Sequence, residues 1–114
     1  MKPQSAKAKG RNLQKWLRDK LLAAFNMLEE DDIRSTSMGA SGEDLQLSPA
    51  ARKLIPFAFE CKNVEKLNIW KAWEQAQSRD YPAALCIKKN RTEPLIVISV
   101  DTFLELLKAL KNDS

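Results

Sequence analysis

"FAFECKN", residues 57–63, is the stretch on which the reading of this chain turns. Phe57, Phe59 and Cys61 alternate with Ala58, Glu60 and Lys62. Strand side chains alternate between the two faces, so the first three share one face and the last three the other. Phe, Phe and Cys make a core face. Ala, Glu and Lys must meet water, a partner or a site.

The chain has 114 residues, which predicts one domain able to bury a single core without disulfides or a structural metal. Mean hydropathy is −0.43, and no apolar run is long enough to span a bilayer, so no membrane partner is expected. The N-terminus is basic but lacks the apolar middle of an export signal, so the expected location is the cytoplasm. Two cysteines, Cys61 and Cys86, sit in strand-like segments and read as buried, reduced thiols. There is no histidine. That removes His-based triads, HExxH zinc sites and Cys/His fingers, and leaves hard ions held by oxygen as the only metals to expect. Net charge is +4, unevenly spread. Residues 1–20 carry seven lysines and arginines against one aspartate, +6, leaving −2 for the rest. A basic arm on a near-neutral body suits a polyanionic partner, and is also a common solubilising tail.

Residues 1–10 lack periodicity and read as a flexible basic arm, with a single domain over 11–114. A helix is expected over 11–30, where Leu13, Trp16, Leu17, Leu21, Ala24, Phe25 and Leu28 recur at three- and four-residue steps. The acids at 29–32 sit badly against that helix's dipole. "IRSTSMGASGED", 33–44, begins as a short strand and becomes a Ser/Gly-rich loop. "EDLQLS" alternates as a strand, "PAARKLIP" reads as a turn, and the opening stretch follows. A hairpin-like pair of 44–48 with 55–62 would bring Asp44 near Glu60. A second helix is expected over 65–79, burying Leu67, Trp70, Trp73 and Ala76 or Gln77. Two strands joined by "NRTE" follow, both apolar enough to be central. Asp101 then caps a last helix over 102–111, with Phe103, Leu106, Leu107 and Leu110 inward. The expected order is αβββαββα.

Asp44, Glu60 and Lys62 carry the chemistry. Two carboxylates converging at one end of a sheet repel unless a cation sits between them, and Mg²⁺ takes a few carboxylate oxygens while keeping several waters. Such an ion polarises a phosphodiester and acidifies an attacking water, and a lysine on Glu60's face stabilises the developing charge. The pattern therefore asks for Mg²⁺-dependent phosphodiester hydrolysis. Glu and Lys two apart are also an ordinary solvated surface pair.

The succession of helix, Ser/Gly-rich loop, Asp, hairpin, ExK, helix and strand resembles the PD-(D/E)xK nucleases. Within them it is most similar to small archaeal-type and phage Holliday-junction resolvases. The segments that carry the likeness are "GRNLQKWLRDKL", "IRSTSMGASGED" and "FAFECK", and it covers roughly residues 10–100. It implies a restriction-endonuclease-like mixed sheet flanked by helices. It implies a structure-selective endodeoxyribonuclease that resolves four-way junctions with Mg²⁺, or Mn²⁺ in its place. Asp44, Glu60 and the Cys61 carbonyl would hold the metal, Lys62 would be the catalytic lysine, and Gln75 would stand near the metal. A loop serine would touch the scissile region, with Ser35, Ser37 and Ser41 as the choices. Gly39 and Gly42 would let a bent backbone approach DNA. The chain departs from the pattern at Gln14, where archaeal-type resolvases carry a glutamate, and at Glu43, where a proline precedes the acid. Gln14 can still hold a metal-bound water, and Glu43 is either a further ligand or exposed.

Phosphate contacts are expected from Lys7, Lys9, Arg11 and Lys15 near the first helix's start, from Arg34 and from Arg52 and Lys53 at the hairpin tip. Lys88, Lys89 and Arg91 would add theirs beside the cleft. Trp16, Trp70 and Trp73 could stack on bases, but their helical spacing favours the core or a subunit interface. Two symmetric cuts imply a homodimer on branched DNA. Two alternatives remain beside junction resolution: a PD-(D/E)xK nuclease for nicking or repair, and a non-catalytic DNA-binding protein of the same fold.

Overall fold

A computed structural model describes residues 5–36, 43–78 and 80–112. Helix α1, Ala6–Ala24, starts inside the segment read as an arm, because Ser5 caps it: its Oγ accepts the Ala8 N–H at 3.1 Å. Residues 6–10 are thus helical, and residues 1–4 lie outside the description. The helix also ends earlier than expected. The acids that fit its C-terminus poorly belong instead to the start of a short 3₁₀ turn, Glu30–Asp32. There the Asp32 carboxylate accepts the Glu29 N–H at 2.7 Å and the Ser48 hydroxyl at 2.6 Å. Negative charge at a helix N-terminus is favourable, which resolves the conflict.

Strand β1 is Ile33–Ser35 and β2 is Leu45–Leu47. Where a turn was expected, Ser48-Pro49 opens α2, Pro49–Leu54, with Ser48 as the cap and proline in the first turn. Then come β3, Ala58–Asn63, α3, Ile69–Gln75, β4, Ala83–Lys88, β5, Leu95–Val97, and α4, Val100–Asn112. The observed order is αββαβαββα rather than αβββαββα. β1 and β2 form an antiparallel pair, while β3, β4 and β5 form a second sheet, β3 parallel and β5 antiparallel to β4. The expected hairpin between 44–48 and 55–62 is therefore replaced by a β1–β2 ladder. β4 is central, but β5 is an edge, with Leu95 and Ile96 exposed. The chain is a mixed α/β fold: a small open sheet set among helices.

The core lies on both sides of β3 and β4. Leu13 and Leu17 of α1 pack with Ile33, Leu45, Phe59, Cys61, Ala84 and Cys86. Ala72 and Ala76 of α3 pack with Ala83 and Leu85 on the other side. Alanines let the short α3 approach the sheet closely, and this leaves Trp70 turned away and 80% exposed rather than buried. The last helix departs most from expectation. Its cap is Ser99, whose Oγ accepts the Thr102 N–H at 3.1 Å, so Asp101 stands in the first turn. Phe103, Leu106, Leu107 and Leu110 are all exposed, because no element among the described residues packs over them. Among the described residues, no helix is long and apolar enough to cross a membrane.

Candidate active site at the edge of strand β3

Backbone alternation builds the site. Toward β4, β3 uses every second residue, and the same alternation runs on beyond both its ends: the Ala58 N–H donates to the Pro82 carbonyl at 3.0 Å and the Val64 N–H to the Lys88 carbonyl at 3.1 Å. The intervening residues turn their backbone groups to the other edge. There the Phe59 carbonyl accepts the Asp44 N–H at 2.9 Å, and the Cys61 N–H donates to Asp44 Oδ2 at 2.6 Å. In a parallel strand a residue's N–H and C=O project to the same side, so the Cys61 carbonyl lies along that edge too. Asp44 is held at both its backbone and its side chain. Thr36 braces the approach, donating its N–H to the Asp44 carbonyl at 2.9 Å and its hydroxyl to the Glu43 carbonyl at 3.0 Å.

Electrostatics leave this edge undercompensated. Burial raises the Asp44 carboxyl above its usual range, against the Cys61 N–H, the Lys62 charge and Gln14. Burial also pushes Glu60 up to about 7, with the Asp44 charge adding to it and Lys62 opposing. Lys62 Nζ lies 3.8 Å from Glu60 Oε1, a charge contact too long for a hydrogen bond. Gln14 reaches Asp44 from α1, and its Oε1 is buried without a partner among the described residues. Two repelling acids beside an orphaned amide oxygen form a place where a cation would be stabilised. No three His, Cys, Asp or Glu side chains converge among the described residues. A metal here would therefore take Asp44, Glu60, neutral oxygens from the Cys61 carbonyl and Gln14, and water, a donor set that fits Mg²⁺. Beneath the edge, Cys61 and Cys86 are buried free thiols in register. Hydrogen bonding to Cys86 and burial push the Cys61 thiol up, so it stays protonated.

The structure scatters several other expected residues. Gln75 is exposed at the end of α3 and makes no hydrogen bond to Asp44, Glu60 or Lys62. Ser37, Gly39, Ser41 and Gly42 lie outside the described residues, while Ser35 is half-buried on β1 and lines a cleft of about 380 Å³ with Lys15, Arg18 and Arg34. Arg34 itself pairs with Asp31 at 3.3 Å on the surface. Arg52 is not at a hairpin tip. It sits on α2, bonded to Glu43 at 2.7 Å and to the Phe57 carbonyl at 2.6 Å, and stacks over Tyr81 at 4.3 Å. Those contacts make Arg52 a brace and engage Glu43, which is neither freely exposed nor turned to the acids. Lys53 is exposed beside it.

Lys7, Arg11 and Lys15 are exposed along α1, and Lys9 donates to Asn90 Oδ1 at 3.1 Å, joining the helix start to the β4–β5 turn. Lys88 ends β4 and Lys89 and Arg91 occupy that turn, Lys88 donating to the Lys89 carbonyl at 2.9 Å and Arg91 in the left-handed region at φ 65°. Lys9, Lys88, Trp16 and Asn63 line a second cleft of about 330 Å³. Asn63 is the residue the sequence reading passed over. Its Oδ1 is buried without a partner among the described residues. The signal was present: a polar side chain continues the Phe57, Phe59, Cys61 face where an apolar one would be expected. Trp16 is partly exposed, with the Lys20 ammonium 5.6 Å from its ring, so it does not belong to the core.

No family model, no curated protein and no solved structure matches the chain.

Proposed function

We propose that the chain is a Mg²⁺-dependent endodeoxyribonuclease of the PD-(D/E)xK type that resolves four-way DNA junctions. One observation carries the reading: Asp44 and Glu60, distant in sequence, meet at one strand edge with Lys62 beside them. The finer fold assignment is supported by the antiparallel β1–β2 pair, by β3 running parallel to β4 across α3, and by the Asp44 bond to β3.

Bound Mg²⁺ would supply Lewis-acid activation of the phosphodiester and acidify a water. The chain's own residues do the rest. Asp44, fixed by the Cys61 N–H, and Glu60 supply the negative oxygens. Glu60 gives up its proton to bind a cation at neutral pH, because it otherwise titrates near 7. Lys62 donates hydrogen bonds to a water or a phosphoryl oxygen on Glu60's face. Lys7, Lys9, Arg11, Lys15, Lys88, Lys89 and Arg91 give the phosphate-binding charge, and preference for a branched substrate follows from the resemblance.

A non-catalytic DNA-binding role is the second reading, favoured by Gln14, which leaves two acids at the site among the described residues. The test is cleavage of a synthetic four-way junction and a matched linear duplex. Cutting of the junction alone, lost in Lys62→Ala with binding retained, supports resolution. Cutting of both substrates points to another nuclease. Binding without cutting in Mg²⁺ or Mn²⁺ gives the non-catalytic reading.

A further inference from the structure

We propose that α4 is the surface through which two copies of this chain pair, antiparallel about a twofold axis. The helix has no buried residue, yet Val100, Phe103, Leu104, Leu106, Leu107 and Leu110 are between 41% and 73% exposed. Asp101, Glu105, Lys108 and Asn112 form a polar stripe at alternating four- and three-residue steps, so the apolar face is sorted from the polar one up to Lys111, which falls on the apolar side in the last turn. The residues outside the description carry only two large apolar side chains, Met1 and Met38. Among the described residues, nothing covers the face.

The spacing says what does. Positions 100, 103, 104, 106, 107 and 110 are unchanged when the helix is reversed about residue 105. An antiparallel second copy therefore sets Val100 against Leu110 and Phe103 against Leu107, with Leu104 and Leu106 on opposite flanks of the seam, each beside its own counterpart. Val100, Phe103, Leu107 and Leu110 follow the 3-4-3 steps of a helix–helix seam. The helix dipoles are opposed in this arrangement, which is favourable. Six half-exposed apolar side chains offer on the order of 500 Å² per copy, about 1,000 Å² in all, the lower bound for a specific interface. A monomer keeping such a contiguous patch would be unusual. The pairing does not depend on the nuclease reading, though a twofold pair would present two β3-edge sites to two strands.

Sedimentation of the full chain across micromolar to submillimolar concentrations tests this. A mass of twice 12.9 kDa is expected, falling to 12.9 kDa in Phe103→Glu/Leu107→Glu with unchanged circular dichroism, since neither side chain is in the core. Oxidised glutathione should cross-link a mixture of Val100→Cys and Leu110→Cys proteins, and neither variant alone. A monomer throughout, a dimer untouched by the double substitution, or self-cross-linking of Val100→Cys overturns the proposal. So does a monomer that co-sediments with vesicles containing phosphatidylserine, which would assign the face to a lipid surface.

Discussion

Asp32 and Glu60 carry the same functional group, and their surroundings drive them in opposite directions. Asp32 accepts the Ser48 hydroxyl and the Glu29 N–H, and those bonds hold its carboxyl below the usual value. Glu60 is taken out of water beside Asp44 with only Lys62 to offset the cost, and is pushed up to about 7. The first region is finished, because both oxygens of the Asp32 carboxylate have hydrogen-bond donors within the chain. The second is unfinished and is stabilised by anything that brings positive charge. On the proposed function, that difference separates acids that build the fold from acids placed for chemistry.

The largest effect expected is on cleavage. Lys62→Ala, removing the only cation beside Glu60, should lower single-turnover junction cutting at least ~10³-fold, about 4 kcal/mol of transition-state stabilisation, while junction affinity changes little. Gel-based cleavage and binding titrations measure both. An active Lys62→Ala enzyme would put the unfinished region outside the chemistry.

Next comes stability against pH. Glu60 titrates at about 7 in the folded chain against 4.5 ordinarily, so the folded state keeps a proton that the unfolded state releases. Its contribution is fully present below 4.5 and is lost as pH rises through about 7. Asp44, also raised, acts in the same direction. Without metal, urea midpoints should therefore fall between those limits. Glu60→Gln should flatten that limb and raise stability above neutral pH by about 1–3 kcal/mol, although it disables the site. Saturating Mg²⁺ should stabilise the wild type most on the alkaline side, where the acids are free of protons. A variant no more stable than wild type above neutral pH would mean that Glu60 is already compensated.

Ser48→Ala probes the finished region. It removes the α2 cap and one of Asp32's two partners, and should cost about 0.5–2 kcal/mol near neutral pH. Asp32's lowered value contributes stability above 3.8 that is lost as pH falls through the folded value. The variant should therefore show a shallower acid limb. An unchanged acid limb would assign Asp32's behaviour to something other than these bonds.

These two regions were not equally legible in the sequence. Alternation alone put Glu60 and Lys62 on one face of β3 and Cys61 on the other, and long apolar periodicity marked α1 correctly at Leu13 and Leu17. Asp44 does lie beside Glu60, though through a bond to the edge of β3 rather than through a hairpin ladder, because β2 pairs with β1. The Ser48–Asp32 cap was unreadable as a pair: it joins residues sixteen apart, and α2 is too short to display a period, so its Ser-Pro start looked like a turn. Arg52 was indistinguishable from a phosphate-binding arginine until Glu43 and Tyr81 appeared around it. In α4 the apolar face was readable from spacing, but spacing reports which side chains avoid water and not what covers them.

The smallest effect gives the sharpest control on the contrast. Asp31 is the immediate neighbour of Asp32, yet its carboxylate is 88% exposed and touches only the exposed Arg34, at 3.3 Å. If hydrogen bonds rather than local negative charge make the cap region finished, Asp31→Asn should change stability by no more than about 0.5 kcal/mol, since an exposed pair gains little over its hydrated partners. Added salt should remove even that, because such a pair is screened while the Ser48–Asp32 bond is not. Urea melts of Asp31→Asn and Ser48→Ala at low and high salt read the two terms separately. A loss in Asp31→Asn as large as in Ser48→Ala, and abolished by salt, would mean that charge at the helix start stabilises this region. Asp32 and Glu60 would then differ in the sign of the surrounding field rather than in hydrogen bonding.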